Sequence, residues 1–223
     1  MKIAFMGDSI TEGCFELIPG QQENIDIIRD RDHTYDTILM KKLKSEYSST
    51  TFESKNFGIS GYSSEDGLKV VDDVISWKPD AVVVCFGLND VFHREVDAYT
   101  SNLNQIFCKI NGFGAKIIFM TPNMMNTYVH EKTLPQFIGY AHETAIRQND
   151  GTMDDYMEFA KKVAKSANAS VCDVYTVWKK LSYYGIDTTR LLCNYINHPT
   201  RKMHRLFADM LFNTCKEVLM AGK

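Results

Sequence analysis

Two segments of the chain carry a serine and a histidine in settings suited to nucleophilic chemistry. Residues 7–13 read GDSITEG, where the glycines permit a tight turn and Ser9 can project at the start of a helix as a nucleophile. Residues 197–199 read NHP, which holds His198 between a loop and a helix opened by proline, where it can act as a general base. Each residue also has a structural interpretation, because Ser9 and Glu12 fit a capping box and a lone histidine is usually structural.

Two further segments offer hydrogen-bond donors to a developing negative charge. Residues 56–61 read NFGISG, where Gly58 presents a backbone N–H that no side chain obstructs. Residues 87–90 read GLND, where the Asn89 side chain offers an N–H donor with no proton to lose, as suits an oxyanion hole. Turn formation explains either segment as well when it is viewed alone.

A regular framework has to position these segments, and the apolar patterning predicts one. Short apolar runs rich in β-branched residues alternate with longer helical patterns, which is typical of βαβ units on a parallel sheet. The predicted strands are Lys2–Met6, Thr51–Phe57, Ala81–Phe86, Lys116–Met120 and Ser170–Val174. The predicted helices span about Thr34–Tyr47, Ser64–Ser76, Val96–Asn111, Met153–Ala167 and Pro199–Met220. The expected fold class is therefore α/β.

The candidate segments lie where such a sheet binds ligands. Residues 7–13, 56–61 and 87–90 each follow a predicted strand directly. Because ligands of open parallel sheets bind beyond the carboxyl ends of the strands, we expect these segments to meet at one edge. Residues 121–151 follow another strand and carry two prolines among aromatic residues and histidines, so we predict an elaborated loop or lid there.

Composition and charge exclude several other classes of function. The 223 residues are 44% hydrophobic and 24% charged, as in an ordinary globular protein, and we expect one domain over residues 1–223. The net charge is -3 and no block of Lys and Arg is present, so the sequence predicts no basic surface that would bind nucleic acid. The apolar runs are too short for a signal peptide or a membrane-spanning helix. Six scattered cysteines without a CxxC pair predict reduced thiols in a cytoplasmic protein and no metal site, and the oligomeric state stays open.

Taken in order, the segments GDSIT, NxGxxG, GxND and NHP resemble the conserved blocks of the SGNH (GDSL-type) hydrolase superfamily, across residues 7–204. The resemblance implies a flavodoxin-like three-layer α/β/α sandwich with a five-stranded parallel sheet. It implies that Ser9 is the nucleophile and His198 the general base, with Ser9 N–H, Gly58 N–H and the Asn89 side chain as oxyanion donors and no metal or organic cofactor. His204 matches a histidine often seen in the last block, and we expect it to pack or form a hydrogen bond within the first turns of the last helix.

One position departs from the family pattern. An aspartate usually stands three residues before the histidine and orients its ring, whereas this chain has Tyr195 there. We expect Asn194 or a backbone carbonyl of the same loop to orient His198, because either can accept the imidazole N–H. Asp173 or Asp187 reaches the ring only if the loop folds back. Neither an amide oxygen nor a carbonyl stabilises the imidazolium as a carboxylate does, which predicts a slower enzyme.

The resemblance implies a carboxylic ester hydrolase that forms an acyl-enzyme on Ser9, with a small-molecule acyl ester as its partner. Within the superfamily, an esterase of O-acetylated carbohydrate is the favoured interpretation. A lysophospholipase or thioesterase of the same fold is the enzymatic alternative and requires a strongly apolar acyl channel. A ligand-binding homologue with impaired catalysis is the other alternative, because the usual aspartate is missing.

Overall fold

The framework is a set of short strands whose apolar residues are buried. The computed structural model describes residues 1–21, 24–93 and 95–220. Its strands are β1 (Lys2–Gly7), β2 (Cys14–Pro19), β3 (Ile25–Arg29), β4 (Glu53–Asn56), β5 (Ala81–Cys85), β6 (Lys116–Met120) and β7 (Ser170–Cys172). Five of them form a sheet in the order β4-β1-β5-β6-β7, and each neighbouring pair is parallel. The predicted α/β class with a five-stranded parallel sheet is confirmed.

Helices cover both faces of this sheet. They are α1 (Ser9–Glu12), α2 (Tyr35–Glu46), α3 (Ser64–Ser76), α4 (Asp90–His93), α5 (Val96–Phe113), α6 (Ile138–Asn149), α7 (Thr152–Ser166), α8 (Val174–Tyr183) and α9 (Arg201–Leu219). Helix α2 packs beside α9, while α3, α5 and α7 pack in a row. Among the described residues, none of these helices combines the length and the apolar character that crossing a bilayer requires.

The central strand β5 shows why these runs form buried strands. Val82, Val83 and Val84 are completely buried, although they point alternately to the two faces of the sheet. A strand covered on both faces needs a continuous apolar sequence of β-branched residues, as this one has. The same argument holds for Ile118 and its neighbours in β6.

The strand order creates a crevice at the carboxyl ends of β1 and β5. From β1 the chain crosses to β4 on one side, and it then returns past β1 to β5 on the other. Right-handed crossovers place the two connecting helices on opposite faces, so the loops after β1 and β5 diverge and leave an opening between them. Ser9 follows β1, and Asn89 follows β5.

Two parts of the chain differ from the sequence prediction. Residues 121–151 are not loop throughout, because α6 occupies Ile138–Asn149. The buried face of α6 consists of Ala141, Thr144, Ala145 and Gln148, which are too small or too polar to give a strong helical pattern. The antiparallel hairpin of β2 and β3 was not predicted.

Candidate active site

Ser9 lies at the first residue of α1, at the carboxyl end of β1. The preceding residue, Asp8, caps this helix, since its side chain accepts a hydrogen bond from the Ile10 N–H at 3.0 Å. Gly13 ends the helix in the left-handed conformation, with φ of 97°. Because Asp8 performs the capping, the Ser9 hydroxyl is available for another partner.

That partner is His198, as the sequence predicts. The distance between Ser9 Oγ and His198 Nε2 is 3.1 Å, and both residues are buried. The other ring nitrogen, Nδ1, lies 2.8 Å from the carbonyl oxygen of Phe15. A carbonyl only accepts hydrogen bonds, so Nδ1 carries the proton and Nε2 faces the serine hydroxyl with a lone pair.

The prediction that Asn194 orients the imidazole is corrected by this geometry. The Asn194 Oδ1 atom accepts N–H groups from Ile196, Asn197 and His198 at 3.0, 3.0 and 2.9 Å. Its Nδ2 donates to Asn197 Oδ1 at 2.9 Å. The side chain therefore folds the loop that carries His198, in the manner of an Asx turn, while Phe15 of β2 supplies the ring's acceptor.

The carboxylates considered from the sequence also lie elsewhere. Asp173 accepts hydrogen bonds at the start of α8 and pairs with Lys161. Asp187 accepts a hydrogen bond from the Tyr128 hydroxyl at 2.8 Å. The other predicted acceptor for the His198 ring, a backbone carbonyl, is present. It belongs to the β2–β3 hairpin, however, and not to the histidine's own loop.

Burial sets the protonation state of the histidine. It lowers the pKa of His198 below the ordinary value of 6.5, and the hydrogen bond to the Phe15 carbonyl opposes the shift. At neutral pH the imidazole is therefore uncharged and able to accept a proton from Ser9.

An arginine fastens the hairpin that carries Phe15. Arg201, three residues after His198, binds both carboxylate oxygens of Glu16 at 2.5 and 3.3 Å, and its Nε donates to Asp30 at 2.7 Å. The guanidinium also lies 4.5 Å from the centroid of the Phe15 ring. The first turn of α9 thus holds both strands of the hairpin beside His198, a connection that no sequence pattern predicts.

Asn89 lines the same pocket as Ser9 and His198. Its Nδ2 donates one proton to the Tyr62 carbonyl oxygen at 2.8 Å, which fixes the amide orientation. A side-chain amide has two such protons, so one is left for a ligand. Asn89 and Ser9 both line the pocket, as predicted.

Gly58 follows β4 as predicted, but its N–H does not face the pocket as an oxyanion donor would. Its N–H donates to Asn56 Oδ1 at 2.8 Å, and a Cβ on Gly58 would lie 2.5 Å from the Glu12 nitrogen. This glycine therefore permits the loop after β4 to pack directly on the backbone of α1. Gly61, three residues later, lines the pocket instead, with φ of 82°. The N–H groups of Gly61 and Ser9 have no hydrogen-bond partner in the part of the chain that the structure describes.

The pocket itself is small and mostly apolar. Its volume is about 280 Å³, near the lower end of the range for ligand sites. Apolar and aromatic side chains surround the polar group of Ser9, Asn89 and His198, namely Leu17, Ile27, Phe137, Tyr140 and Ile196. Two of these come from the hairpin and two from the segment predicted as a lid. The Tyr140 hydroxyl stays protonated, since burial raises its pKa to about 12.

His204 has a structural position beneath the site. Its Nδ1 accepts the Tyr35 N–H at the start of α2 at 3.2 Å, and its ring packs 4.7 Å from that of Phe15. Burial lowers the pKa of His204 to about 3, so the ring is neutral. The expected packing and hydrogen bonding are both present, although the partner belongs to α2 and not to α9.

Comparison with known proteins agrees with this geometry. The pattern of the GDSL-like Lipase/Acylhydrolase family matches residues 5–206. The chain is 26% identical over 193 residues to an acetylxylan esterase of Geobacillus stearothermophilus, and the match covers 81% of this chain and 78% of that protein.

Solved structures have the same fold. Axe2, an acetylxylan esterase from Geobacillus stearothermophilus, superposes with a TM-score of 0.69 at 23% identity, over 95% of this chain and 92% of the other. The acetyl xylan esterase AlAXEase gives a TM-score of 0.70 at 22% identity, over 96% and 99%. The match of the family pattern to most of the chain shows that this protein belongs to the GDSL-like lipase/acylhydrolase family and is a carboxylic ester hydrolase.

Proposed function

We propose that this protein removes a small acyl group, with acetyl on carbohydrate as the favoured substrate, through an acyl-enzyme on Ser9. The 3.1 Å contact between Ser9 Oγ and the unprotonated Nε2 of His198 is the observation that carries the proposal. His198 takes the hydroxyl proton as the oxygen attacks the ester carbonyl, and then gives it to the departing alcohol. Water hydrolyses the acyl-enzyme by the same proton route.

The negative charge of the tetrahedral intermediate needs donors on the side opposite His198. We assign this role to the N–H groups of Ser9 and Gly61 and to the second amide proton of Asn89. Gly61 replaces Gly58 in this set because it lines the pocket and its N–H has no partner among the described residues. Donors held in place before reaction need no reorganisation when the charge develops, and each contributes about 100- to 1,000-fold in rate.

The pocket volume and the relatives support a short acyl group. A pocket of about 280 Å³ accommodates an acetyl group and part of an alcohol, whereas a lysophospholipase or thioesterase needs a long acyl channel. The relative at 26% identity is an acetylxylan esterase. The Phe15 carbonyl also supplies the acceptor that the missing aspartate would provide, which weakens the case for an impaired binding homologue.

Hydrolysis assays with Ser9→Ala test this function. Wild type should release acetate from p-nitrophenyl acetate and from acetylated xylo-oligosaccharide, and Ser9→Ala should reduce both rates to background. Ser76→Ala, at the end of α3 and outside the pocket, is the matched control and should retain the wild-type rate. Equal rates for wild type and Ser9→Ala would overturn the proposal. A rate that rises from acetate to octanoate esters would favour the long-chain alternative.

We also infer a cytoplasmic location, supported by the six cysteines, all of which are free thiols. Titration of the denatured protein with a thiol reagent, after purification without reductant, should detect six thiols. Fewer than six would contradict this inference.

A further inference from the structure

A second cleft opens beside the active-site pocket. Its volume is about 130 Å³, and it shares four lining residues with the pocket, Leu17, Phe137, Asn194 and Ile196. The two cavities are therefore neighbours, and these four side chains form the wall between them. Tyr195, at the position where the family usually has aspartate, lines this second cleft.

The environment of Tyr195 is unusual for an aromatic residue. Its backbone has φ of 59°, a left-handed conformation that bulky residues rarely adopt, and the hydrogen bonds to Asn194 Oδ1 hold the loop around it. Its ring stacks on the buried His130, with centroids 4.1 Å apart and an interplanar angle of 10°. The Tyr195 hydroxyl has no hydrogen-bond partner within the described ranges. His130 therefore covers one face of the Tyr195 ring, and the Tyr195 hydroxyl can still bind a ligand.

The position of the cleft indicates which half of the ester it receives. His198 must deliver its proton to the alcohol oxygen as that group leaves, so the alcohol lies on the histidine side of the pocket. The cleft is built from the histidine loop, from β2 and from residues 132–137, whereas Gly61 and Asn89, the assigned oxyanion donors, line only the pocket. The alcohol half of a larger ester therefore extends from the pocket into the second cleft, toward Tyr195.

The chemistry of the cleft identifies the class of alcohol. An aromatic ring with a free hydroxyl offers an apolar face beside a donor, which suits a pyranose ring with its C–H face and rim of hydroxyls. Glu16 and Lys132 also line the cleft, and burying such charges against a hydrocarbon chain is unfavourable. We propose that the cleft beside Tyr195 is a subsite for a sugar ring of the alcohol half of the substrate, an inference that rests on the proposed esterase function.

Substitutions from two walls of the cleft provide the test. Tyr195→Asn removes the ring and keeps a residue type that tolerates the left-handed conformation. Leu134→Trp fills the cleft from the other wall without altering the histidine loop, and Leu134 does not line the pocket. Tyr183→Asn, an 86% exposed tyrosine at the end of α8, is the matched control.

The measurement is the ratio of kcat/KM on acetylated xylo-oligosaccharide to kcat/KM on ethyl acetate, followed by acid release. We expect Tyr195→Asn and Leu134→Trp each to lower this ratio about five- to tenfold, mainly through KM, and Tyr183→Asn to leave it at the wild-type value. An unchanged ratio in Leu134→Trp, or a parallel loss on both esters in Tyr195→Asn, overturns the subsite. So does a wild type that hydrolyses ethyl acetate but not the oligosaccharide. If Ser9→Ala matches wild type on ethyl acetate, the esterase function fails first, and the subsite fails with it.

Discussion

At the scale of single residues, a backbone carbonyl stands where the family usually places a carboxylate. The aspartate of a triad orients the histidine ring and also stabilises the imidazolium by its charge. The Phe15 carbonyl performs the first of these roles, because it fixes the tautomer of His198. Negative charge comes instead from Glu12 and Glu16, which both raise the pKa of His198. Burial has the larger effect and lowers this pKa. We therefore expect a working but slower base than in a carboxylate triad.

The protonation of His198 gives a prediction about pH. Because burial lowers the pKa of His198 below 6.5, the free enzyme keeps its base unprotonated in mild acid. A plot of kcat/KM against pH for p-nitrophenyl acetate should therefore lose activity with an acid midpoint below 6.5. A midpoint above 6.5 would mean that a nearby carboxylate, and not burial, controls the ring.

Asn194 gives a second prediction at this scale. Asn194→Ala leaves three N–H groups without their acceptor, so kcat/KM should fall about tenfold or more and the melting temperature should drop. Asn194→Asp keeps the acceptor and should stay within about tenfold of wild type. If Asn194→Asp were clearly faster than wild type, position 194 would orient the ring and the Phe15 contact would not.

Local sequence was sufficient for some of these residues and not for others. Ser9, Asn89 and His198 were found because each lies at the end of a strand or the start of a helix with a recognisable pattern. Phe15 was not found, since every residue has a carbonyl and no residue type signals its use. Gly58 was predicted as a donor and Gly61 was not, and the sequence does not show which glycine the adjoining helix covers.

At the scale of elements, the β2–β3 hairpin joins the histidine loop to the pocket wall. It supplies the Phe15 carbonyl, two pocket residues, and the carboxylates that Arg201 holds. The hairpin escaped prediction because its strands are short and mix charged residues such as Glu16 and Asp26 with apolar ones. Long, fully apolar strands such as β5 are the elements that sequence predicts well.

We therefore expect Arg201 to position the hairpin beside His198. Arg201→Met removes both ion pairs and leaves the carboxylates of Glu16 and Asp30 close together, so the hairpin should shift and kcat/KM on ethyl acetate should fall about tenfold. Arg201→Lys should restore part of the loss. Lys42→Met, which removes the ion pair between Lys42 and Asp209 elsewhere on α2 and α9, is the control. Equal losses in the two methionine variants would show a general effect on stability.

At the scale of the whole molecule, buried titratable groups couple stability to pH. The unfolded chain protonates His204 below about pH 6.5, whereas the folded protein does not until the pH approaches 3. The folded state therefore loses stability as the pH falls through this window. Asp8 acts in the opposite direction, since burial raises its pKa to about 7 and its proton stabilises the fold as the pH falls.

His204→Phe isolates the histidine contribution. Between pH 6 and 4, the free energy of unfolding of wild type should fall faster than that of the variant by about 1.4 kcal/mol per pH unit. Urea unfolding at several pH values measures this difference. His142→Phe, at an exposed position on α6, should follow the wild-type slope. Parallel curves for wild type and His204→Phe would show that His204 is protonated in the folded state.

The central claim is that Ser9 is the nucleophile and that His198 activates it. Mass spectrometry after reaction with a p-nitrophenyl phosphonate tests both parts, because the reagent labels an activated serine without needing the natural substrate. We predict one adduct, on the peptide that contains Ser9, and a labelling rate reduced about 100-fold or more in His198→Ala. An adduct on another residue, or labelling of His198→Ala at the wild-type rate, would contradict the account.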